Sequence, residues 1–135
     1  GYDDVGIYQE YARKVEKTKT DLIALLERLN GEGKTLIGYG ASGRGTVIMN
    51  YCQINGKYLD YVVDDAPAKH NFRTPGTHLA IKPWDYVESQ AEKPDHIVLF
   101  AWAFADEVLN KRQPYQDAGG KFIIPLPDVR MVPEA

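Results

Sequence analysis

Short apolar segments alternate with helical patterns along residues 35 to 124, and this alternation limits the possible folds more than any other feature. Apolar segments typical of strands lie at 35–39, 58–64, 79–81, 96–102 and 122–124. Helical patterns over 46–54, 83–90 and 105–118 separate most of them. Continuously apolar strands joined by helices are typical of a parallel sheet covered on both faces. We therefore predict an α/β, Rossmann-like three-layer sandwich of about five parallel strands in the order 3-2-1-4-5.

A long amphipathic helix is predicted before the first strand. Its apolar residues share one face and are Ile7, Tyr11, Val15, Leu22, Leu25, Leu26 and Leu29. Gly31 is suited to the left-handed conformation that ends helices. We expect the C-terminal half of this helix to pack along the sheet. Its first turns, with Tyr2, Ile7, Tyr8 and Tyr11, suit contact with another domain.

The size and composition of the chain fit one globular domain. It has 135 residues, of which 44% are hydrophobic and 26% charged. We expect a helix over 1–30 that leads from an upstream domain, followed by one domain over 31–135. The start at Gly1, without methionine, agrees with a processed terminus, a tag scar or a piece of a longer protein, and we expect the last of these.

Charge and cysteine content restrict the partners and the compartment. The net charge of −3, without a basic stripe, argues against a nucleic-acid surface. Cys52 is the single cysteine, which excludes an internal disulfide and fits a reducing compartment. No apolar run approaches the roughly 18 residues that span a bilayer. We expect a cytoplasmic protein with no membrane partner. The single cysteine and the scattered histidines do not have the spacing of zinc ligands, so no metal site is predicted.

A glycine-rich turn follows the first predicted strand and opens a helix. It fits the pattern G-x-G-x-x-G, with Gly38, Gly40 and Gly43 at the glycine positions. In this context the pattern predicts a phosphate at the helix N-terminus, where backbone amides and the helix dipole favour an anion. Ser42 can cap the helix or donate to phosphate, and Arg44 can add a bidentate charge. The alternative is that the glycines serve only a close turn.

The second predicted strand ends at Asp64, near the position where an acidic side chain accepts ribose hydroxyl hydrogen bonds. The loop beyond it carries Lys69, His70 and Arg73, which are candidates for closing over a diphosphate. This loop leaves the carboxyl end of a strand, the edge at which ligands bind in such sheets. The alternatives are that Asp64 caps the loop and that the loop is only a charged surface segment.

Aromatic residues stand where the fourth predicted strand ends. Trp102 and Phe104 are candidates for stacking on a base or a sugar, although aromatic residues at such positions are more often core. His78, at the start of the third strand, and His96, in the fourth strand, are interpreted as structural. The sequence identifies no catalytic acid–base pair, no G-x-S-x-G elbow and no P-loop.

The motifs in their order along the chain resemble one family. They are Gly38-Tyr39-Gly40-Ala41, Asp64 to Lys69, Pro75-Gly76-Thr77-His78, Pro94-Asp95, Ala101-Trp102, Gly119-Gly120-Lys121-Phe122 and Pro125-Leu126-Pro127. Together they resemble the C-terminal domain of S-adenosylmethionine-dependent C-methyltransferases that act on deoxysugar nucleotides. Arg44 stands where the resemblance predicts lysine, and Asp65 where it predicts a basic residue.

The resemblance implies a division of labour within a longer polypeptide. S-adenosylmethionine and the catalytic base belong to an upstream methyltransferase domain, and this chain helps to bind a nucleoside-diphosphate 4-keto sugar. A base in that domain removes the proton alpha to the keto group, and the resulting enolate attacks the donor methyl. On this interpretation the chain is part of a methyltransferase, does not catalyse the reaction alone and holds no tightly bound cofactor.

Three other interpretations of the sequence remain open. A dinucleotide-binding module explains the glycine pattern and Asp64, but a dehydrogenase needs a substrate domain. A self-sufficient methyltransferase also uses a glycine-rich first turn, but Ile37 stands where an acidic residue commonly precedes it. A non-catalytic interaction domain predicts a partner on the long helix and no small ligand.

Overall fold

The computed structural model describes most of the chain. The described ranges are 3–40, 43–66, 70, 72–74, 76–101, 104–125 and 129–133, with the side chains of 3–12, 14, 15 and 43–45 left out. The elements in chain order are α1 Asp3–Gly31, β1 Leu36–Tyr39, α2 Gly43–Cys52, β2 Val62–Val63, β3 Ile81–Lys82, α3 Trp84–Ser89, β4 His96–Leu99, α4 Ala105–Lys111, α5 Gln113–Asp117, β5 Lys121–Ile124 and β6 Arg130–Val132.

One six-stranded sheet organises these elements, in the order β3-β2-β1-β4-β5-β6. The first five strands are parallel, and β1 lies beside β4 with Leu36 opposite His96 and Tyr39 opposite Leu99. The predicted fold class and the order 3-2-1-4-5 are confirmed. The sixth strand was not predicted, and it pairs antiparallel with β5.

Helices α1 and α2 cover one face of the sheet. Leu22 and Leu26 of α1 and Met49 of α2 are fully buried and pack in one cluster with Leu36 and Val98 from the strands. The predicted packing of the C-terminal half of the long helix along the sheet agrees with this cluster. At 29 residues, α1 is about 44 Å long. The aromatic side chains predicted to contact another domain lie outside the described residues.

Helices α3, α4 and α5 cover the opposite face. The inward side chains of that face include Ile37, Leu99 and Phe122, which pack with Val87 of α3 and Val108 of α4. Because successive strand residues point to opposite faces, Leu36 and Ile37 belong to different clusters. Strands β1, β2, β4 and β5 therefore contribute to both cores, as the continuous apolar pattern predicted.

The predicted helix over residues 105–118 is divided into α4 and α5 at Arg112. Pro114 lies in the first turn of α5. Proline has no backbone N–H, and its ring clashes with the carbonyl four residues earlier, so a continuous helix cannot pass through this position. The break places Arg112 at the junction of the two helices, where its side chain reaches the end of β1.

Two predicted strands are shorter than expected at their starts. Tyr58 and Leu59 both donate their N–H groups to the carbonyl of Asn55, so they belong to a turn that precedes β2. His78 was predicted to begin a strand, but it is exposed, has a φ of 58° and follows a turn before β3.

Among the described residues, no helix is long and apolar enough to cross a membrane.

Candidate functional site

The carboxyl edge of the sheet joins the segments that follow β1, β2 and β4. The N–H of Gly40 donates to the carbonyl of Val63 at 2.7 Å, and that of Phe100 donates to the carbonyl of Tyr39 at 2.8 Å. Strands β1 and β4 are neighbours at the centre of the sheet. From β1 the strand order runs outward through β2 to β3, and from β4 it runs in the opposite direction through β5, so the order reverses between β1 and β4. Ligands of open α/β sheets bind at such a switch point. The glycine-rich turn therefore lies at the position that the sequence predicted.

Close contacts within the protein account for two glycines of this turn. A Cβ atom on Gly40 would lie 2.7 Å from the Cβ of Ala101, and the φ of Gly40 is 97°. A Cβ atom on Gly38 would lie 2.9 Å from the ring of Phe100. The close packing of the turn is thus enough to explain why glycine stands at positions 38 and 40. A contact of Gly38 or Gly40 with a ligand stays a prediction.

Asp64 is buried at the end of the second strand and organises the loop that follows it. One carboxylate oxygen accepts a hydrogen bond from the N–H of Ala66 at 2.8 Å. The ring Nε2 of His70 lies 2.7 Å from the carbonyl oxygen of Asp64, so the loop folds back onto the residue where it begins. The loop-capping alternative is therefore observed for Asp64, and its bond to a sugar hydroxyl stays a prediction.

Arg73 and Phe104 lie in different parts of the molecule. Arg73 is exposed beside β3, where it forms a bridge with Ala80 and donates from Nη1 to the carbonyl of His78 at 3.0 Å. Phe104 precedes α4 at the carboxyl edge and is 59% exposed. Of the two, Phe104 is the one placed beside the switch point.

The other predicted ligand residues are described only in part. Gly43 and Arg44 form the start of α2, and their side-chain surroundings lie outside the described residues. Ser42, Lys69 and Trp102 also lie outside the described residues. The roles predicted for these five residues stay predictions.

A charged cluster that the sequence did not predict lies at the same edge. It consists of Tyr39, Asp65, Lys111 and Arg112, and we call it the edge cluster. The Asp65 carboxylate accepts a hydrogen bond from the Tyr39 hydroxyl, and it lies 2.8 Å from Arg112 Nη2 and 3.3 Å from Lys111 Nζ. The edge cluster joins the end of β1 to the loop after β2 and to the junction of α4 and α5.

Arg112 is held from several directions. Its guanidinium lies 4.3 Å from the centre of the Trp84 ring and 5.8 Å from that of Tyr39, within the range of cation–π attraction. Its Nε donates to the Tyr39 hydroxyl at 3.2 Å. The Arg112 side chain is only 12% exposed, whereas that of Lys111 is 54% exposed. Arg112 is therefore the fixed cation of the cluster.

The edge cluster perturbs the pKa values of its acidic members. Burial raises the pKa of Tyr39, and the hydrogen bond to Asp65 raises it further, against the opposing effect of Arg112. Partial burial would raise the pKa of Asp65, but the hydrogen bonds from Tyr39 and Lys111 and the charge of Arg112 bring it below its ordinary value. At neutral pH Tyr39 is thus a protonated donor and Asp65 an ionised acceptor.

A groove of about 400 Å³ lies between α3 and the α4–α5 pair. Trp84, Val87, Arg112, Tyr115 and Gly120 are among its lining residues. Of the predicted ligand residues that the structure describes, none lines this groove. It lies on the face opposite α1 and α2, and Lys111 and Arg112 of its lining also belong to the edge cluster.

The strand order, with the glycine-rich turn at the carboxyl edge, defines a Rossmann-like α/β domain, and comparison with known proteins identifies its class. Residues 1–127 match the family described as the C-methyltransferase C-terminal domain, and the chain belongs to that family. The predicted resemblance is confirmed.

A curated relative is the C-methyltransferase NovU of Streptomyces niveus. It is 27% identical to this chain over 125 residues. The match covers 93% of this chain but only 29% of the relative. The chain thus spans less than a third of the relative that it matches.

Proposed function

We propose that this chain is the substrate-binding C-terminal domain of a C-methyltransferase that acts on a nucleoside-diphosphate 4-keto deoxysugar. The position of the glycine-rich turn carries the proposal, since the turn both opens α2 and lies at the switch point of the sheet. The proposed phosphate ligands are Gly40, Ser42, Gly43 and Arg44. Membership of the C-methyltransferase C-terminal domain family supports the reaction class.

The sugar side of the proposed site is formed at the ends of β2 and β4. Asp64 accepts a hydroxyl hydrogen bond, Lys69 and Arg73 close over the diphosphate, and Trp102 and Phe104 contact the sugar. The exposure of Phe104 at the carboxyl edge supports its role, because a ring already packed in the core could not receive a ligand. For Arg73 this arrangement requires its side chain to leave the carbonyl of His78.

In this proposal the chemistry belongs to an upstream domain of the same polypeptide. That domain binds S-adenosylmethionine and supplies the base that removes the proton alpha to the 4-keto group. Ile37, which precedes the glycine-rich turn, supports this division because it is buried in the core and provides no acidic group there. The length of the relative, of which this chain matches 29%, leaves room for such a domain.

Replacing Arg44 by alanine tests the proposed phosphate site. In the complete polypeptide we expect Arg44→Ala to weaken the affinity for a deoxythymidine-diphosphate sugar at least about tenfold, because a charge-assisted hydrogen bond is lost. Isothermal titration calorimetry measures the affinity, and the melting temperature should change little.

Arg28→Ala is the matched control. Arg28 is exposed near the C-terminal end of α1, where its nearest described acidic partner is Glu32 at 3.7 Å. This variant removes the same charge and should leave the affinity unchanged. Equal affinity in wild type and Arg44→Ala would reject the role of Arg44, and equal weakening in both variants would show a general charge effect.

A further inference from the structure

The loop after β2 is tied down at its beginning by two consecutive aspartates with different partners. Asp64 bonds within the loop, to the N–H of Ala66, and its carbonyl oxygen meets the ring of His70. Asp65 bonds outside the loop, to Arg112 of the α4–α5 junction and to Tyr39 of β1. The first set of contacts closes the loop on itself, and the second fixes it to the sheet edge.

The contact between Asp65 and Arg112 is built to hold one geometry. Arg112 is packed over Trp84 and is only 12% exposed, so its guanidinium has little freedom to follow a moving carboxylate. The Tyr39 hydroxyl donates to Asp65 and accepts from Arg112, so it bridges the two charged side chains. Donors from β1 and from the α4–α5 junction converge on the Asp65 carboxylate, so the pair favours one loop position.

Charge balance makes this arrangement compatible with an anionic ligand. An unpaired Asp65 would place a negative charge at the edge where a diphosphate is proposed to bind. Lys111 and Arg112 both lie within 3.3 Å of the Asp65 carboxylate. The edge cluster therefore carries one more positive than negative charge, and Asp65 does not repel the ligand.

We propose that Asp65 and Arg112 are positioning residues that hold the loop after β2 in the arrangement that receives the nucleotide-sugar. The nucleotide-sugar in this inference rests on the proposed function, whereas the contact between Asp65 and Arg112 does not. Neither residue needs to touch the sugar. Their effect acts through Asp64, which is next to Asp65 in the chain and is bonded to Ala66 and His70.

Hydrogen exchange of the unliganded protein tests the loop contact. In the complete polypeptide, Asp65→Asn removes the charge and keeps the shape, and Tyr39→Phe removes only the hydroxyl. We expect the amides of residues 64–66 and 70 to exchange about tenfold faster in both variants, as the loss of a charge-assisted hydrogen bond predicts.

Asp21→Asn is the matched control for exchange. The Asp21 carboxylate lies 2.7 Å from Lys17 on α1 and is 43% exposed, against 37% for Asp65. This variant should leave exchange of the loop unchanged. Loop exchange that is the same in wild type and Asp65→Asn would overturn the inference.

Steady-state kinetics of the complete polypeptide test the positioning role. Asp65→Asn should raise the KM for the nucleotide-sugar about tenfold and change kcat less than about twofold, because the loop would be ordered only on binding. A lower melting temperature with an unchanged KM would mean that the pair is only structural and would overturn the proposal. If the wild type does not bind a nucleotide-sugar, the proposed function fails, while the exchange result still decides whether the pair holds the loop.

Discussion

Substitution of Gly40 by alanine tests whether the turn after β1 is as closely packed as the structure shows. Gly40 has a φ of 97°, which an alanine adopts only with strain of about 1–2 kcal/mol. Its new methyl group would lie 2.7 Å from the Cβ and 3.0 Å from the backbone nitrogen of Ala101. Relieving such a contact costs about 1–3 kcal/mol more. We therefore expect Gly40→Ala to lower the free energy of unfolding by about 2–5 kcal/mol.

Gly119→Ala separates the backbone strain from the contact. Gly119 has a φ of 104°, and a Cβ atom there would meet nothing within 4 Å. This control should lose only the strain, about 1–2 kcal/mol. Urea unfolding followed by circular dichroism measures both variants. Losses that agree within about 0.5 kcal/mol would refute the close approach of Ala101 to Gly40.

The remaining predictions concern two buried side chains, with unfolding as the measurement. Burial lowers the pKa of the His96 imidazole, so this ring binds a proton more readily in the unfolded chain than in the folded protein. As the pH is lowered below about 6.5, the free energy of unfolding should decrease by at most about 1.4 kcal/mol per pH unit. His96→Gln should remove this dependence on pH, and an equal dependence in wild type and variant would contradict the prediction. Tyr115→Phe should lower the free energy of unfolding by about 1–3 kcal/mol, because the buried Tyr115 hydroxyl donates to the Pro94 carbonyl at 2.6 Å; a negligible loss would contradict it.

Local patterns were sufficient to predict the sheet but not its last strand. The apolar segments that contain the first five strands alternate with helical patterns and turn signals in the sequence, so their order followed from the rules for parallel sheets. Strand β6 consists of Arg130, Met131 and Val132, which are partly or fully accessible. Because it lies at the sheet border and pairs only with β5, it carries no continuous apolar run.

The division of the last helix was visible in the sequence, and its consequence was not. Pro114 is a clear break signal within residues 105–118. The break places the Arg112 side chain at the hydroxyl of Tyr39, which lies 73 residues earlier in the chain. No spacing rule relates these positions, since only the packing of α4 and α5 on the sheet brings them together.

The candidate site was predictable where it depends on topology. The glycine-rich turn and Asp64 had to reach the carboxyl edge once the strands were parallel. In the sequence Asp65 stands out only as a departure from the family pattern, because its partner Arg112 is 47 residues away. A long-range ion pair leaves no periodic signal in one sequence, so the edge cluster became visible only with the fold.

Hydrogen exchange of the complete polypeptide with three ligands in parallel distinguishes the proposed nucleotide-sugar site from a dinucleotide site and from a methyl-donor site. The ligands are a deoxythymidine-diphosphate 4-keto sugar, NAD and S-adenosylmethionine. We expect the nucleotide-sugar to protect residues 40–45 and 64–70, and S-adenosylmethionine to protect only segments upstream of this chain. Protection of 40–45 by NAD or S-adenosylmethionine, or no protection by the nucleotide-sugar, would refute the proposed nucleotide-sugar site.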